Sequence, residues 1–189
     1  RLRGALKAAE GSPGKHQELM QMTRDLEWLQ CQQDPLYFIL NFCITHDEHK
    51  AAKGLPAYDL VPDKEYIRLY IQEMHVNPRI LTPKSRQIMI TWITLCYRLW
   101  CCIFRPGWLA VIQGKKEPDA DKVLLRAHGL WERLPPWMQE RAPAEKAWCL
   151  IRFPVQNSRY EGIPEGGDQV RSRTPSSWDN DESAFQPEF

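Results

Sequence analysis

Apolar residues recur along this chain at two spacings, and the spacing changes after Asn77-Pro78. Ahead of that point the intervals are helical. From Glu18 to Gln33, Leu19, Met22, Leu26 and Leu29 form one apolar stripe, which predicts an amphipathic helix. Asp34-Pro35 supplies an N-cap and a first-turn proline. Leu36, Ile39, Leu40, Cys43 and Ile44 then give a second helical stripe. His46 to Ala57 is polar and contains Gly54-Leu55-Pro56, so a loop is expected. Pro62-Asp63 opens a third helix carrying Tyr66, Ile67, Tyr70, Ile71 and Met74 on one face. Residues 1–17, with Gly11-Ser12-Pro13-Gly14, read as a loose terminus.

Beyond residue 78 short apolar runs alternate with helical stretches. Arg79 to Thr82 is a strand candidate, followed by a loop from Pro83 and an apolar helix from about Thr91 to Phe104. Arg105-Pro106-Gly107 stops that helix. Trp108 to Gln113 reads as a buried strand. Glu117-Pro118 starts a helix with Val123, Leu124, Ala127, Leu130, Trp131 and Leu134, which Pro135-Pro136 ends. Ala147 to Phe153 and Ser176 to Asp181 are further strand candidates, with turns at Gly162, Gly166 and Gly167. Strand–helix alternation predicts an α/β fold, a mostly parallel sheet with helices on both faces. Residues 1–62 form a helical lead-in and 63–189 the α/β core.

Composition narrows the classes. The 189 residues are 43% hydrophobic with a net charge of +1, which excludes a polybasic nucleic-acid wrapper but not a local basic groove. No pair of the six cysteines has Cys-x-x-Cys spacing, and four sit in apolar runs, so a reducing compartment is expected. The stretch from Ile88 to Phe104 is short for a membrane span and contains Arg98, so it reads as a buried helix. No secretory signal pattern is present at the start.

Chemistry is expected beyond the carboxyl ends of parallel strands. The segment after Thr82 reads Lys84-Ser85-Arg86-Gln87-Ile88-Met89-Ile90-Thr91 and runs into the long helix. A helix N-terminus offers amide donors and partial positive charge to a phosphate. A phosphate loop also needs a glycine, a lysine and a hydroxyl for Mg²⁺. Thr91 supplies the hydroxyl and Lys84 the ammonium. Ile90 stands where the usual lysine would be, and Met89 where a glycine would be. The alternative is an ordinary strand-to-helix turn.

Near the other end, Asp181-Glu182 follows a strand candidate. Such a pair can hold Mg²⁺ through the Asp and activate water through the Glu. Asp179 and Asn180 make that strand more polar than a buried one should be.

Lys84-Ser85-Arg86-Gln87-x-x-x-Thr91 ahead of an apolar helix resembles the variant phosphate loop of phage terminase large subunits, where the lysine stands at the start of the loop. Gln113 to Ala120 and Gly162 to Arg171 look like that family's post-strand segment and its lead-in to the acidic strand. Asp181-Glu182-Ser183-Ala184-Phe185 resembles its acidic motif. The similarity runs from about Asp34 to Phe189. It implies the ATPase motor that drives viral DNA into a capsid, with 63–189 a partial P-loop ATPase core truncated after the acidic motif. Its sheet would then be incomplete at the C-terminal side. It implies ATP and Mg²⁺ as cofactors, with residues 84 to 91 on the nucleotide, Thr91 and Asp181 on the metal, and Glu182 as the catalytic base. It further implies double-stranded DNA, a portal protein and a small terminase subunit as partners, and a homo-oligomeric ring in the full-length protein. The setting would be the host cytoplasm, transiently on the procapsid, with no membrane. The chain alone is expected to be inactive. The family's adenine-reading glutamine has no counterpart here: Tyr58 to Tyr66 offers Lys64 and Glu65.

Other residues read more plainly. Arg86 is either a second phosphate contact or a loop brace, and Ser85 and Gln87 brace the loop. Lys115, Lys116, Arg171 and Arg173 are read as solvated, with DNA phosphate contact as the alternative. His46-Asp47-Glu48-His49 lacks metal-site spacing. Trp92, Trp100, Trp108 and Trp131 are read as core. Two rival functions remain: a helicase-like ATPase, and a degenerate P-loop scaffold that does not hydrolyse ATP.

Overall fold

The structure, a computed structural model, describes residues 13–83, 89–165 and 174–180. Helices α1 (Pro13–Gln33) and α2 (Pro35–Phe42) come first. A small hairpin, β1 (Ile44–His46) and β2 (Tyr58–Leu60), encloses α3 (Glu48–Ala52). Helices α4 (Glu65–Val76) and α5 (Ile90–Phe104) lead to β3 (Leu109–Gln113). Then follow α6 (Glu117–Glu132), α7 (Pro136–Arg141), β4 (Glu145–Ala147), β5 (Leu150–Phe153), β6 (Ser158–Ile163) and β7 (Ser177–Asn180).

The main sheet has the order β4-β5-β6-β3-β7. β3 lies between β6 and β7 and is parallel to both, while β4, β5 and β6 pair antiparallel. The sheet is therefore mixed, and the parallel part is the half that the α/β pattern anticipated. Val111 and Ile112 in β3 are almost fully buried, as a central parallel strand requires.

Side chains alternate across a strand, so register decides which residues share a face. Ala110 pairs with Tyr160 and Ser177, and Ile112 with Gly162 and Asp179. The Ser158 hydroxyl donates to the Cys102 carbonyl of α5 on this face. A Cβ at Gly162 would meet the Ala120 Cβ of α6 at 3.0 Å, on the same face. Helices α5 and α6 thus both cover one side. This corrects the expectation for these two helices, which share one face of the sheet rather than lying on opposite ones.

α5 is the hub of that layer. Ile93, Leu95, Leu99, Trp100 and Ile103 are all buried, so this helix is apolar nearly all round. Each such side chain contributes about 1.5–3 kcal/mol relative to exposure. Cys31, Phe38 and Ile39 from the first two helices belong to the same core as Ile112, Phe153 and Tyr160 of the sheet. Helix ends are closed locally. Asp34 Oδ1 accepts from the Leu36 and Tyr37 amides at 2.8 and 3.1 Å, as its N-cap position predicts. On the other side of the same junction, in the last turn of α1, the Trp100 indole donates to the Cys31 carbonyl at 2.6 Å.

Several expectations change. The Met22, Leu26 and Leu29 stripe of α1 is 50–60% exposed. Trp28 faces inward instead, 4.7 Å from the Phe104 ring between centroids, because an aromatic side chain buries more area than a leucine. Arg79 to Thr82 is not a strand, and Leu81 is 87% exposed. Ala147 to Phe153 is not one strand but a hairpin turned at Trp148 and Cys149, with Cys149 at φ 50°. β6 and α7 have no counterpart in the sequence pattern; α6 ends ahead of Pro135-Pro136 as expected, and Pro136 also begins α7. Among the described residues no helix is long and apolar enough to cross a membrane.

Candidate functional site

The N-terminus of α5 carries the described end of the candidate phosphate loop. Met89 is its N-cap, with φ 59° and ψ 7° in the left-handed region. Glycine adopts that conformation freely; a methionine does so at a cost of about 1–2 kcal/mol. The position where the sequence pattern asks for glycine therefore has a glycine-type backbone. The first helical bond runs from the Ile93 amide to the Met89 carbonyl at 3.0 Å, so the amides of residues 90–92 lie outside the intrahelical ladder. Ile90 is buried, a side chain packing inward where a standard loop has its lysine. Thr91 is half-buried. The first turn is braced: the Thr94 hydroxyl donates to the Ile90 carbonyl at 3.0 Å and lies 2.9 Å from the Tyr70 hydroxyl of α4.

Two contacts fix the direction of α5. Cys102 lies over the start of β6, its Sγ 3.7 Å from the Arg159 carbonyl. Arg98, one turn earlier, bonds Asp179 through Nε to Oδ2 and Nη2 to Oδ1, both at 2.7 Å. Arg159 pairs with Leu109 at the start of β3, and Asp179 with Ile112 near its end. Moving backward along α5 thus means moving forward along the strands. The helix N-terminus lies at the carboxyl end of β3 and β7, where open parallel sheets carry their ligands.

Arg98 and Asp179 each keep 14% side-chain exposure. Burial works against the Arg98 cation, but the facing Asp179 carboxylate outweighs it and holds the guanidinium above its ordinary range. This pair explains two anomalies of the sequence at once: an arginine inside an apolar helix and an aspartate inside a strand. Each was visible alone. Their partnership across 81 residues was not.

The carboxyl end of β3 is tied to β6. Gln113 is buried and donates from Nε2 to the Pro164 carbonyl at 3.1 Å, and the Gly114 amide donates to Ile163 at 3.0 Å. Gly114 is required there, because a Cβ would stand 2.9 Å from the Ala120 backbone nitrogen. Lys115 and Lys116 follow, both exposed beside the start of α6. On the flank of α6, buried Asp121 accepts from Lys146 Nζ at 2.7 Å and the Cys149 amide at 2.8 Å. That clamp holds the β4–β5 hairpin to the helix.

Of the sequence-derived site, Met89, Ile90 and Thr91 are described. Lys84, Ser85, Arg86, Gln87 and Ile88 lie outside the described residues, as do Asp181, Glu182, Arg171 and Arg173. His46 is half-buried and tilted against Tyr58, with ring centroids 4.9 Å apart. Among the described residues no three His, Cys, Asp or Glu side chains could share a metal ion. Burial pushes the Cys31 thiol up to about 12 and the Cys101 thiol to about 11, so neither is a ready nucleophile.

A shallow cleft of about 250 Å³ opens between the β1–β2 hairpin and α5 and α6. Arg126 lies over the Trp92 ring at 5.9 Å, and Arg133 over Tyr58 at 5.0 Å. Arg133 Nε also donates to the Ile44 carbonyl at 3.0 Å, and its guanidinium lies across Gly129. Arg133 thus fastens the hairpin to the end of α6, and Arg126 joins α6 to Trp92 of α5. Trp92, read as core, is half-buried along this cleft.

No protein-family model matches this sequence, and no curated protein is significantly similar to it.

Proposed function

We propose that this chain is the ATP-binding part of a viral DNA-packaging motor of the terminase type, and that ATP with Mg²⁺ binds at the N-terminus of α5. The observation that carries this reading is the left-handed backbone at Met89, at the head of a buried helix whose N-terminus faces the carboxyl ends of β3 and β7. Strain in a non-glycine residue points to a local function. The described residues fit a phosphate group: amides at a helix end, a glycine-type turn, and a hydroxyl at Thr91.

The role of each residue follows from its chemistry. Bound Mg·ATP supplies the activated phosphoryl group. Lys84 would set its ammonium charge against the phosphates, with Ser85, Arg86, Gln87 and Ile88 shaping the loop around them. The amides of Met89, Ile90 and Thr91 would donate to phosphate oxygens. Thr91 and Asp181 would hold Mg²⁺. Glu182 would orient a water and take its proton for in-line attack. Double-stranded DNA is the proposed substrate of the motor, with exposed Lys115 and Lys116 available to its phosphates. A portal protein, a small terminase subunit and a homo-oligomeric ring in the host cytoplasm belong to the same proposal. A helicase-like ATPase would use the same groups.

One observation favours a second reading, a P-loop scaffold that does not hydrolyse ATP. Arg79 to Thr82, the segment entering the loop, is not a strand, whereas a phosphate loop ordinarily follows one. Rates decide between the two. In the full-length protein, Lys84→Ala is expected to remove most ATP hydrolysis, and Met89→Gly with Ile90→Lys to restore part of it. Ile90→Ala alone should leave the phosphate charge intact. Near-normal turnover in Lys84→Ala would contradict the loop assignment. Absence of turnover in the unaltered full-length protein would establish the scaffold.

A further inference from the structure

We infer that the cleft between the β1–β2 hairpin and helices α5 and α6 is a base-stacking site for single-stranded nucleic acid. One base would lie against Tyr58 and Trp92, and the adjoining phosphates against Arg126 and Arg133. The inference does not depend on the ATP site.

The lining joins the two kinds of group that such a strand requires. His46, Tyr58 and Trp92 supply aromatic faces, and Arg126 and Arg133 supply cations; none of the lining residues is a carboxylate. Tyr58 is more than half exposed and Trp92 only half-buried. The two rings come from different elements, Tyr58 from β2 and Trp92 from the first turn of α5. Arg126 and the C-cap Arg133 are seven residues apart, so they share one side of α6, about 10 Å from each other along its axis. The acids beside them in sequence are engaged elsewhere. Asp121 accepts from Lys146 at 2.7 Å, and Glu132 lies 3.4 Å from His128.

Gly129 lies between the two arginines and lines the same cleft. Glycine weakens a helix interior, and the nearest atoms a Cβ would meet here are Arg133 Nη1 and Nη2, at 3.1 and 3.3 Å. The glycine thus makes room for the guanidinium, which lies 5.0 Å from the Tyr58 ring centre. Arg133 Nε is already held by the Ile44 carbonyl at 3.0 Å. A cation fixed in advance beside an exposed ring loses little freedom when a ligand arrives.

Size decides the form of the ligand. The cleft's volume of about 250 Å³ is below the roughly 300–1,000 Å³ of pockets that enclose a whole small molecule. It admits a single base while sugar and phosphate stay in solvent. Along α6 the backbone would then run toward exposed Lys115 and Lys116 at the far end of that helix. A duplex keeps its bases stacked inward, and placing one in the cleft would cost the energy of flipping it out.

The test is fluorescence anisotropy with a labelled oligothymidylate of about twelve nucleotides, an abasic oligomer of equal charge, and a duplex of the same length. The unaltered chain should bind the oligothymidylate about tenfold or more tightly than either of the others. Tyr58→Leu and Trp92→Leu should each weaken that binding about fivefold or more and leave the abasic oligomer unaffected, whereas Tyr58→Phe, which keeps the ring, should bind normally. Arg126→Gln should weaken both single strands alike and lower the dependence on salt. Tyr58 is the more exposed ring, so its two variants decide the matter if Trp92→Leu does not fold. Equal affinity for the oligothymidylate and the abasic oligomer, or for the duplex, would reduce the cleft to a phosphate contact and overturn the inference. Unchanged affinity in the leucine variants would do the same. Thymidine monophosphate competing as well as the oligomer would overturn the strand as ligand.

Discussion

Met89 is the residue at which pattern and backbone meet. Its φ of 59° is what a glycine in a phosphate loop would adopt. Met89→Gly should therefore raise stability by about 0.5–1 kcal/mol, the relief of left-handed strain less the entropy glycine restores to the unfolded chain. An unchanged or lower urea midpoint would contradict it. Arg98→Met alone leaves Asp179 buried without its partner, and should destabilise by about 3–5 kcal/mol. Adding Asp179→Leu should recover most of that loss, which equilibrium unfolding of both variants would reveal. Asp121 offers a pH test. Burial pushes its carboxyl up, but the hydrogen bonds from Lys146 and the Cys149 amide outweigh this and hold its pKa below the ordinary value. A depressed folded pKa gives stability that is present above the unfolded value of about 3.9 and is lost as pH falls through the folded one. The deficit of Asp121→Asn should thus be full at neutral pH and shrink below about pH 4. A deficit constant down to pH 2 would show that the clamp is not ionic. Individual anomalies such as Arg98 and Asp179 were legible in the sequence, because a charge in an apolar run stands out. Their pairing was not, because periodicity says nothing of which distant element lies opposite.

At the scale of elements, the long apolar helix and the strand after it are plain in the sequence, since α5 and β3 are buried on nearly every side. The half-exposed elements misled. In α1 four leucine or methionine residues at helical spacing suggest an inward face, yet the Trp28–Phe104 contact turns another face to the core. Ile80 and Leu81 look like a strand but pair with no strand among the described residues. The β4–β5 hairpin reads as one strand from Ala147 to Phe153, and β6 does not stand out, because Cys149 and Asn157, both at positive φ, turn the chain without a glycine. The packing of α6 on the sheet gives the sharpest prediction at this scale. A Cβ at position 114 meets backbone, whereas one at 129 meets only the tip of the flexible Arg133 side chain. Gly114→Ala should cost about 1–3 kcal/mol through overpacking, and Gly129→Ala less. Thermal unfolding of the two variants would check the order; equal losses would contradict it.

For the whole molecule, the parallel trio β6-β3-β7 with α5 descending onto it creates one chemically distinctive end. The near-neutral net charge leaves attraction of a polyanion to local groups such as Lys115 and Lys116. The central claim is that ATP is held at the N-terminus of α5 by a lysine at the start of its loop. Titration calorimetry of Mg·ATP into the unaltered chain, Lys84→Ala and Glu182→Gln tests it directly. The expected result is measurable binding to the unaltered chain, affinity lowered about tenfold or more in Lys84→Ala, and affinity nearly unchanged in Glu182→Gln. Equal affinity of the unaltered chain and Lys84→Ala, or no binding by either, would contradict it.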